Sequence, residues 1–306
     1  MQVFRGIPEN SDRPVALTIG NFDGVHLGHQ AVLDRLVKQA QGRGLLSCVM
    51  TFEPHPREFF DPENAPARLT DIREKIALFS QIGIDRVYIC RFDSKFAAMG
   101  AQDFEAVVSS RIGARWVLIG DDFRYGAKRT GDFSSMREAG RNLGFEVEAM
   151  QSVMLGEMRI SSTLVRQAVK SGDLELAENL LGRPYSIVGR VGHGKKLGKT
   201  IGFPTANIRL KHNKPPLSGI YAVEVDGLGD APVRGVASLG VRPTVESSGK
   251  PVLEVYLFDF DRSIYGARLK VDFLAKLREE EKFPDLDSLV RQIGQDVLEA
   301  RRYFEG

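Results

Sequence analysis

Apolar and polar positions over the first 180 or so residues switch repeatedly between two periods. Short apolar runs bounded by polar turns, at residues 15–19, 45–52, 86–92, 116–119 and 145–150, read as strands. Between them, apolar residues recur at helical spacing over 30–39, 71–81 (Ile72, Ile76 and Phe79 on one face), 103–112 and 134–143. Further helices are expected from a cap at Ser161 or Ser162 to about Lys170, and over 173–181 before Gly182-Arg183-Pro184. Strands alternating with helices predict an α/β domain, a parallel sheet wound on both faces. From Tyr185 the texture changes. Runs at 185–191, 220–226, 233–239, 253–260 and 269–276 read as strands separated by turns with Gly and Pro, and helix returns only at 286–303. That pattern predicts a small antiparallel β-barrel with one C-terminal helix, and a division into domains 1–183 and 184–306.

Composition narrows the class. With 306 residues, 42% hydrophobic and 27% charged, the chain suits about two soluble domains, each burying its own core. A net charge of +2, with acids and bases interspersed, offers no basic field to nucleic acid. No apolar run approaches membrane-spanning length, and residues 1–14 lack a signal-peptide core. Cys48 and Cys90 lie in apolar strand-like runs and are expected as buried thiols. The expectation is a cytoplasmic protein acting on small molecules, with no nucleic-acid or membrane partner. Its oligomeric state, a homo-oligomer included, stays open.

Candidate chemistry begins at Gly20-Asn21-Phe22-Asp23-Gly24-Val25-His26-Leu27-Gly28-His29, a glycine-rich turn between strand and helix. Its glycines let backbone approach a ligand, and the first N–H groups of the helix suit a phosphate. His26 and His29, three apart, can lean toward one anion. A metal pair is disfavoured, since no third ligand lies nearby at metal spacing. A second loop, Gly120-Asp121-Asp122-Phe123-Arg124-Tyr125-Gly126, reads either as solvated surface or as a ring-stacking aromatic beside a phosphate-holding arginine. Arg159-Ile160-Ser161-Ser162-Thr163-Leu164-Val165-Arg166 is either a well-capped helix or an anion cradle.

In the second domain, Gly192-His193-Gly194-Lys195-Lys196-Leu197-Gly198-Lys199-Thr200 imitates a P-loop. The motif needs glycine where His193 stands, and Gly202-Phe203-Pro204 interrupts the helix that should follow. What remains is a basic glycine-rich loop ahead of Pro204-Thr205-Ala206-Asn207. Thr205 and Asn207, two apart on extended chain, offer neutral oxygens to a Mg2+ that keeps its waters and phosphates. Alternation along the strand puts Glu254 in phase with Val252, Tyr256 and Phe258, either as a solvated residue or as a base for a substrate hydroxyl.

The first and third of these stretches resemble the two signatures of the nucleotidylyltransferase superfamily, His-x-Gly-His and Ile-Ser-Ser-Thr-x-x-Arg. The barrel motifs, with Ser238-Leu239-Gly240-Val241-Arg242-Pro243-Thr244 and residues 253–261 through Tyr265-Gly266, look like riboflavin kinase. Together the chain resembles the bifunctional bacterial riboflavin kinase/FAD synthetase family over nearly its whole length. The resemblance implies that ATP phosphorylates riboflavin to FMN in the barrel, with Glu254 as base and Thr205 and Asn207 as Mg-nucleotide residues. Gly194, Lys195, Gly198, Lys199, Gly202 and Pro204 would frame that nucleotide, and Arg278, Glu281 and Phe283 the flavin side. In the first domain it implies that FMN attacks the α-phosphate of ATP, releasing pyrophosphate and giving FAD. There His26 and His29 match the α-phosphate pair, and Arg166 with Arg159, Ser161, Ser162 and Thr163 the phosphate clamp. Gly20, Asn21, Phe22, Asp23, Gly28, Asp122, Phe123 and Arg124 complete the implied nucleotide site. Many members carry Asn at position 122, and a carboxylate beside a triphosphate calls for compensation by Mg2+ or Arg124. The alternative is a single-activity nucleotidylyltransferase whose barrel only binds substrate.

Overall fold

The computed structural model describes residues 1–194, 197–212, 214–241 and 251–306. Two compact units emerge, residues 1–66 with 72–161, and residues 67–71 with 162–306.

In the first unit the chain runs β1 (Gln2–Arg5), β2 (Val15–Ile19), α1 (Leu27–Arg43), β3 (Leu46–Glu53), α2 (Pro56–Phe60), α3 (Ile72–Ile82) and β4 (Arg86–Arg91). It continues with α4 (Ser94–Ala97), α5 (Ala101–Ala106), β5 (Ala114–Gly120), α6 (Phe133–Leu143), β6 (Glu146–Met150) and the hairpin β7 (Met154–Leu155) and β8 (Met158–Arg159). The sheet has the order β1-β4-β3-β2-β5-β6, and every pair in it is parallel. A strand covered on both faces needs a continuous apolar run. Val15, Leu17 and Ile19 of β2 accordingly enter one core cluster, and Ala16 enters the other. The helix expected at 103–112 is divided: α5 gives way to a π-turn over Val107–Arg111, where the Ile112 N–H reaches back to the Val107 carbonyl at 3.0 Å. β1, α2 and α4 are short elements that periodicity does not disclose.

The loop after β5 is fixed by an aromatic anchor. The Tyr125 hydroxyl donates to the buried Glu105 carboxylate and lies 3.0 Å from Ser135 Oγ, while the Tyr125 backbone pairs with Gly131. Burial, then the neighbouring Glu105, pushes the phenol well above its ordinary range. Arg124 is tied to Asp132 at 2.9 Å, and Asp132 caps α6.

The second unit holds α7 (Ser162–Ser171) and α8 (Leu174–Leu181), followed by β9 (Tyr185–Gly192), α9 (Leu197–Thr200), β10 (Thr205–Arg209), β11 (Gly219–Asp226), β12 (Val233–Val241), β13 (Pro251–Leu257), β14 (Arg268–Arg278) and α10 (Leu286–Glu305). The strands close an antiparallel barrel in the order β10-β13-β12-β11-β14-β9. On β13, Leu253, Val255 and Leu257 are buried, while Val252, Glu254 and Tyr256 stand half-buried on the opposite face. Ala300 of α10 packs with Ile220, Ala222, Val236 and Phe258, so the helix seals part of the barrel's outside. No helix among the described residues is long and apolar enough to cross a membrane.

Tyr125→Phe should lower stability by about 1–3 kcal/mol, because it strips a donor from a buried carboxylate while leaving the ring in place. Denaturant unfolding checks this, and an unchanged midpoint would show that the hydroxyl does not anchor the loop.

Candidate functional site

β2 pairs with β3 on one side and β5 on the other, so strand order reverses around it. Ligands of open parallel sheets bind in the crevice at such a reversal, outside the carboxyl ends of the strands. The turn carrying both histidines leaves β2 there, and the Asp122–Arg124 loop leaves β5 beside it.

The turn is strained. Phe22 (φ 48°) and Val25 (φ 41°) adopt left-handed backbone without being glycine, next to Gly24 at φ 84°. Both side chains are buried, and the Phe22 ring meets Phe79 and His29 edge-on at 5.6 and 5.1 Å. His26 is the N-cap of α1: its Nδ1 accepts the His29 backbone N–H at 3.3 Å. A neutral imidazole accepting at Nδ1 carries its proton at Nε2, the donor that a phosphate oxygen needs. The two imidazoles stack, centroids 3.7 Å apart and 17° from parallel. A Cβ at Gly28 would stand 3.1 Å from His26 Nδ1, close enough to push on the ring. Burial above all, then His26 and Lys75, holds His29 well below its ordinary protonation range. Its Nδ1 and Asn21 Oδ1 are buried and unpaired among the described residues. Asp23 is buried in the same turn.

On the neighbouring loop, Asp122 pairs with Arg159 at 2.8 Å, not with Arg124, whose guanidinium is occupied by Asp132. The Phe123 ring lies against Tyr125, centroids 5.6 Å apart, above the core. Ser161 ends the first unit, while Ser162, Thr163 and Arg166 ride on α7 in the second, where Arg166 Nε donates to the Ala67 carbonyl at 2.6 Å.

On the barrel, register brings the expected residues into one row. Asn207 of β10 stands directly opposite Glu254 of β13, which stands opposite Ser238 of β12; Thr205 stands opposite Tyr256. Cross-strand partners share a face, so amide, carboxylate and hydroxyl line up on the side away from the barrel core. Gly194 lies against the Asn207 amide, where a Cβ would overlap it. Gly198 packs on the Phe203 carbonyl with Thr205 Oγ1 close by, and Gly202 takes φ 89° just before Phe203 and Pro204. Lys195, the Lys199 side chain and Arg242-Pro243-Thr244 lie outside the described residues. Arg278 is clamped by Asp296 of α10 through two 2.7 Å bonds and lies 5.7 Å from the Phe283 ring. Glu281 is exposed beside it.

Two features escaped the sequence reading. Lys75 of α3 is almost wholly buried and donates from Nζ to the Asn21 carbonyl at 3.1 Å. A lysine three residues after Ile72 and four before Phe79, on the apolar stripe, was the available signal. The other is a run of rings at the carboxyl ends of β3 and β4, in which Phe59, Phe60 and Phe92 meet pairwise at 5.2–5.6 Å and Phe60 is 67% exposed.

Two family models match the chain: FAD synthetase over residues 8–164 and riboflavin kinase over residues 181–304. The bifunctional riboflavin kinase/FMN adenylyltransferase of Escherichia coli (strain K12) is 47% identical over 308 residues, covering 99% of this chain and 98% of that protein. The protein of the same name from Pseudomonas fluorescens is 48% identical, covering 98% of this chain and 97% of its own. A crystal structure from Streptococcus pneumoniae, named a macrolide-efflux protein, superimposes with a TM-score of 0.81 at 29% identity, over 96% of this chain and 97% of its own. By full-length identity and by both family models, the chain belongs to the bifunctional riboflavin kinase/FMN adenylyltransferase family.

Proposed function

We propose that the chain makes FAD from riboflavin in two ATP-dependent steps, one on each compact unit. The observation that carries this is that each unit holds its own constellation. The parallel-sheet unit carries the stacked imidazoles at the strand reversal, and the barrel carries Glu254 opposite Asn207.

On the barrel, Glu254 takes the proton of the ribityl 5′-hydroxyl as its oxygen attacks the γ-phosphorus of ATP; ADP leaves and FMN is formed. Thr205 and Asn207 are neutral oxygen donors on one face beside that carboxylate, a set that fits a Mg2+ holding its remaining ligands from water and phosphate. The metal, when bound, neutralises charge on the triphosphate. Gly194 lies against the Asn207 amide, so backbone stands close to the proposed Mg-nucleotide residues. Arg278, already fixed by Asp296, and the Phe283 ring 5.7 Å from it would frame the flavin side.

On the first unit, an FMN phosphate oxygen attacks the α-phosphorus of a second ATP, and the bond to pyrophosphate breaks. His26 donates from Nε2 to the α-phosphate, with His29 stacked behind it, so positioning and charge neutralisation suffice without a covalent intermediate. The family resemblance gives Arg159 and Ser161 of this unit to the phosphate tail. The exposed Phe60 ring, held edge-on by Phe59 and Phe92, offers one apolar ring on which the isoalloxazine of FMN can stack. We place both reactions in the cytoplasm, where ATP is at hand for each step.

His29→Ala should stop FAD formation while FMN accumulates from riboflavin and Mg-ATP; Glu254→Ala should block riboflavin phosphorylation while added FMN is still adenylylated. Chromatography of the products decides it, and a folded variant losing both activities would refute the two-site assignment. Phe60→Ala should raise KM for FMN about tenfold with little change for ATP, read from initial rates of FAD formation. The neutral His29 also sets a pH dependence. Its folded value is depressed, so below the ordinary 6.5 the unfolded chain takes up a proton that the folded one does not, and stability falls as pH drops from 7.5 to 5.5. His29→Gln should flatten this slope by up to about 1.4 kcal/mol per pH unit, measured by denaturant unfolding across that range.

A further inference from the structure

Lysine is among the residues least often fully buried, and the first turns of a helix, where backbone N–H groups point outward, are an unfavourable place for a cation. Lys75 defies both tendencies. It stands in the second half of the first turn of α3, is 2% exposed, and spends a hydrogen bond on the carbonyl of Asn21. That same carbonyl lies 3.4 Å from Thr51 Oγ1 of β3, so Asn21 is held from two elements at once. Asn21 opens the strained turn, one residue before Phe22, whose φ of 48° requires outside support. A few residues on, the turn delivers the stacked histidines.

We propose that Lys75 is a positioning residue for adenylyl transfer, its ammonium fixing the Asn21 carbonyl and thereby the turn that presents His26 and His29 to the α-phosphate of ATP. The inference rests on the assignment of that turn to the nucleotide. Three facts support it. The contact is to backbone within the turn itself. Asn21 Oδ1 and His29 Nδ1, buried and unpaired among the described residues, place polar groups in the same small region. The charge of Lys75 also reaches His29, adding to burial and to His26 in keeping that ring neutral. Among the described residues, the groups acting on His29 are His26 stacked on it, Phe22 edge-on and Lys75 from α3, and Asp23 is buried in the same turn. Removing the one fixed cation among them raises the proton affinity of His29.

The test uses the full chain with Lys75→Met and Lys75→Arg, and with His29→Ala in parallel. Riboflavin phosphorylation serves as an internal control of folding, and imidazole titration by NMR as the readout that a packing role would not move. For Lys75→Met, kcat for FMN adenylylation should fall about 100-fold, the scale of an ångström of misplacement, while riboflavin phosphorylation stays within about twofold. The His29 titration should move to higher pH, and Lys75→Arg should restore most of the rate. Adenylylation at the parental rate in Lys75→Met overturns the proposal. So does a slowed variant whose His29 titration is unmoved and which arginine does not rescue. If Lys75→Met does not fold, Lys75→Arg decides alone: parental kcat with an unmoved titration supports the proposal, and a loss equal in both reactions overturns it. Parental FAD formation by His29→Ala would instead refute the turn assignment, a result separate from the fate of Lys75.

Discussion

Everything in the first unit follows from β2 lying between β3 and β5. A parallel strand with partners on both edges and helices on both faces has one open direction, its carboxyl end. Because the strand order reverses there, the loops leaving β2 and β5 diverge around a crevice. The apolar run of β2, buried at every position, is the sequence cost of that placement. Its one polar side chain, Thr18, is buried and spends its hydroxyl on the Leu118 carbonyl at 2.7 Å, so the chemistry has to be carried by the turns that follow the strand. This is where His26, His29, Asp122 and Arg124 are found.

The turn after β2 then has to travel from a strand to a helix in seven residues while keeping two imidazoles stacked. It does so with backbone that Phe22 and Val25 would not choose, at roughly 1–3 kcal/mol each. The strain persists because both side chains are buried, and because Asn21 is fastened by Lys75 and Thr51. The benefit is preorganisation. The His26 ring is used as a helix cap, so its Nδ1 is committed, its proton is sent to Nε2, and its orientation does not wait for a ligand.

How much of this could be read in advance depended on whether the signal was local. The strand-turn-helix and the histidine pair were visible because glycine spacing and a three-residue interval are local properties. The phase of Glu254 was visible because a period of two survives any tertiary context, and register then set it opposite Asn207. The partner of Asp122 was not visible. Arg124 is two residues away and Arg159 is 37, yet Arg124 is drawn to Asp132 by the way the loop folds over Tyr125. Lys75 was hidden for the opposite reason: its type suggests solvent, while only its place on the apolar stripe of α3 suggests burial. The division of α5 into a π-turn likewise depends on packing that periodicity averages away.

The two constellations differ in a way that their chemistry explains. A phosphate that attacks another phosphate brings its own negative charge and needs no base, so the sheet unit calls for donors and cations: it holds imidazole N–H groups, a buried ammonium nearby, and Arg124 and Arg159 paired with Asp132 and Asp122 on the adjoining loops. A hydroxyl is a poor nucleophile until it loses its proton, so the barrel needs a carboxylate, and a carboxylate beside a triphosphate repels it. In the proposed kinase reaction, neutral Thr205 and Asn207 resolve that conflict better than further acids would. They would leave the charge of a bound Mg2+ directed at the phosphates instead of cancelled by the protein, with Glu254 as the carboxylate of the row Asn207, Glu254 and Ser238. The same row explains why β10 is a strand of the barrel and not merely the end of a loop. Only a hydrogen-bonded partner on β13 holds an amide and a carboxylate at a fixed spacing on one face.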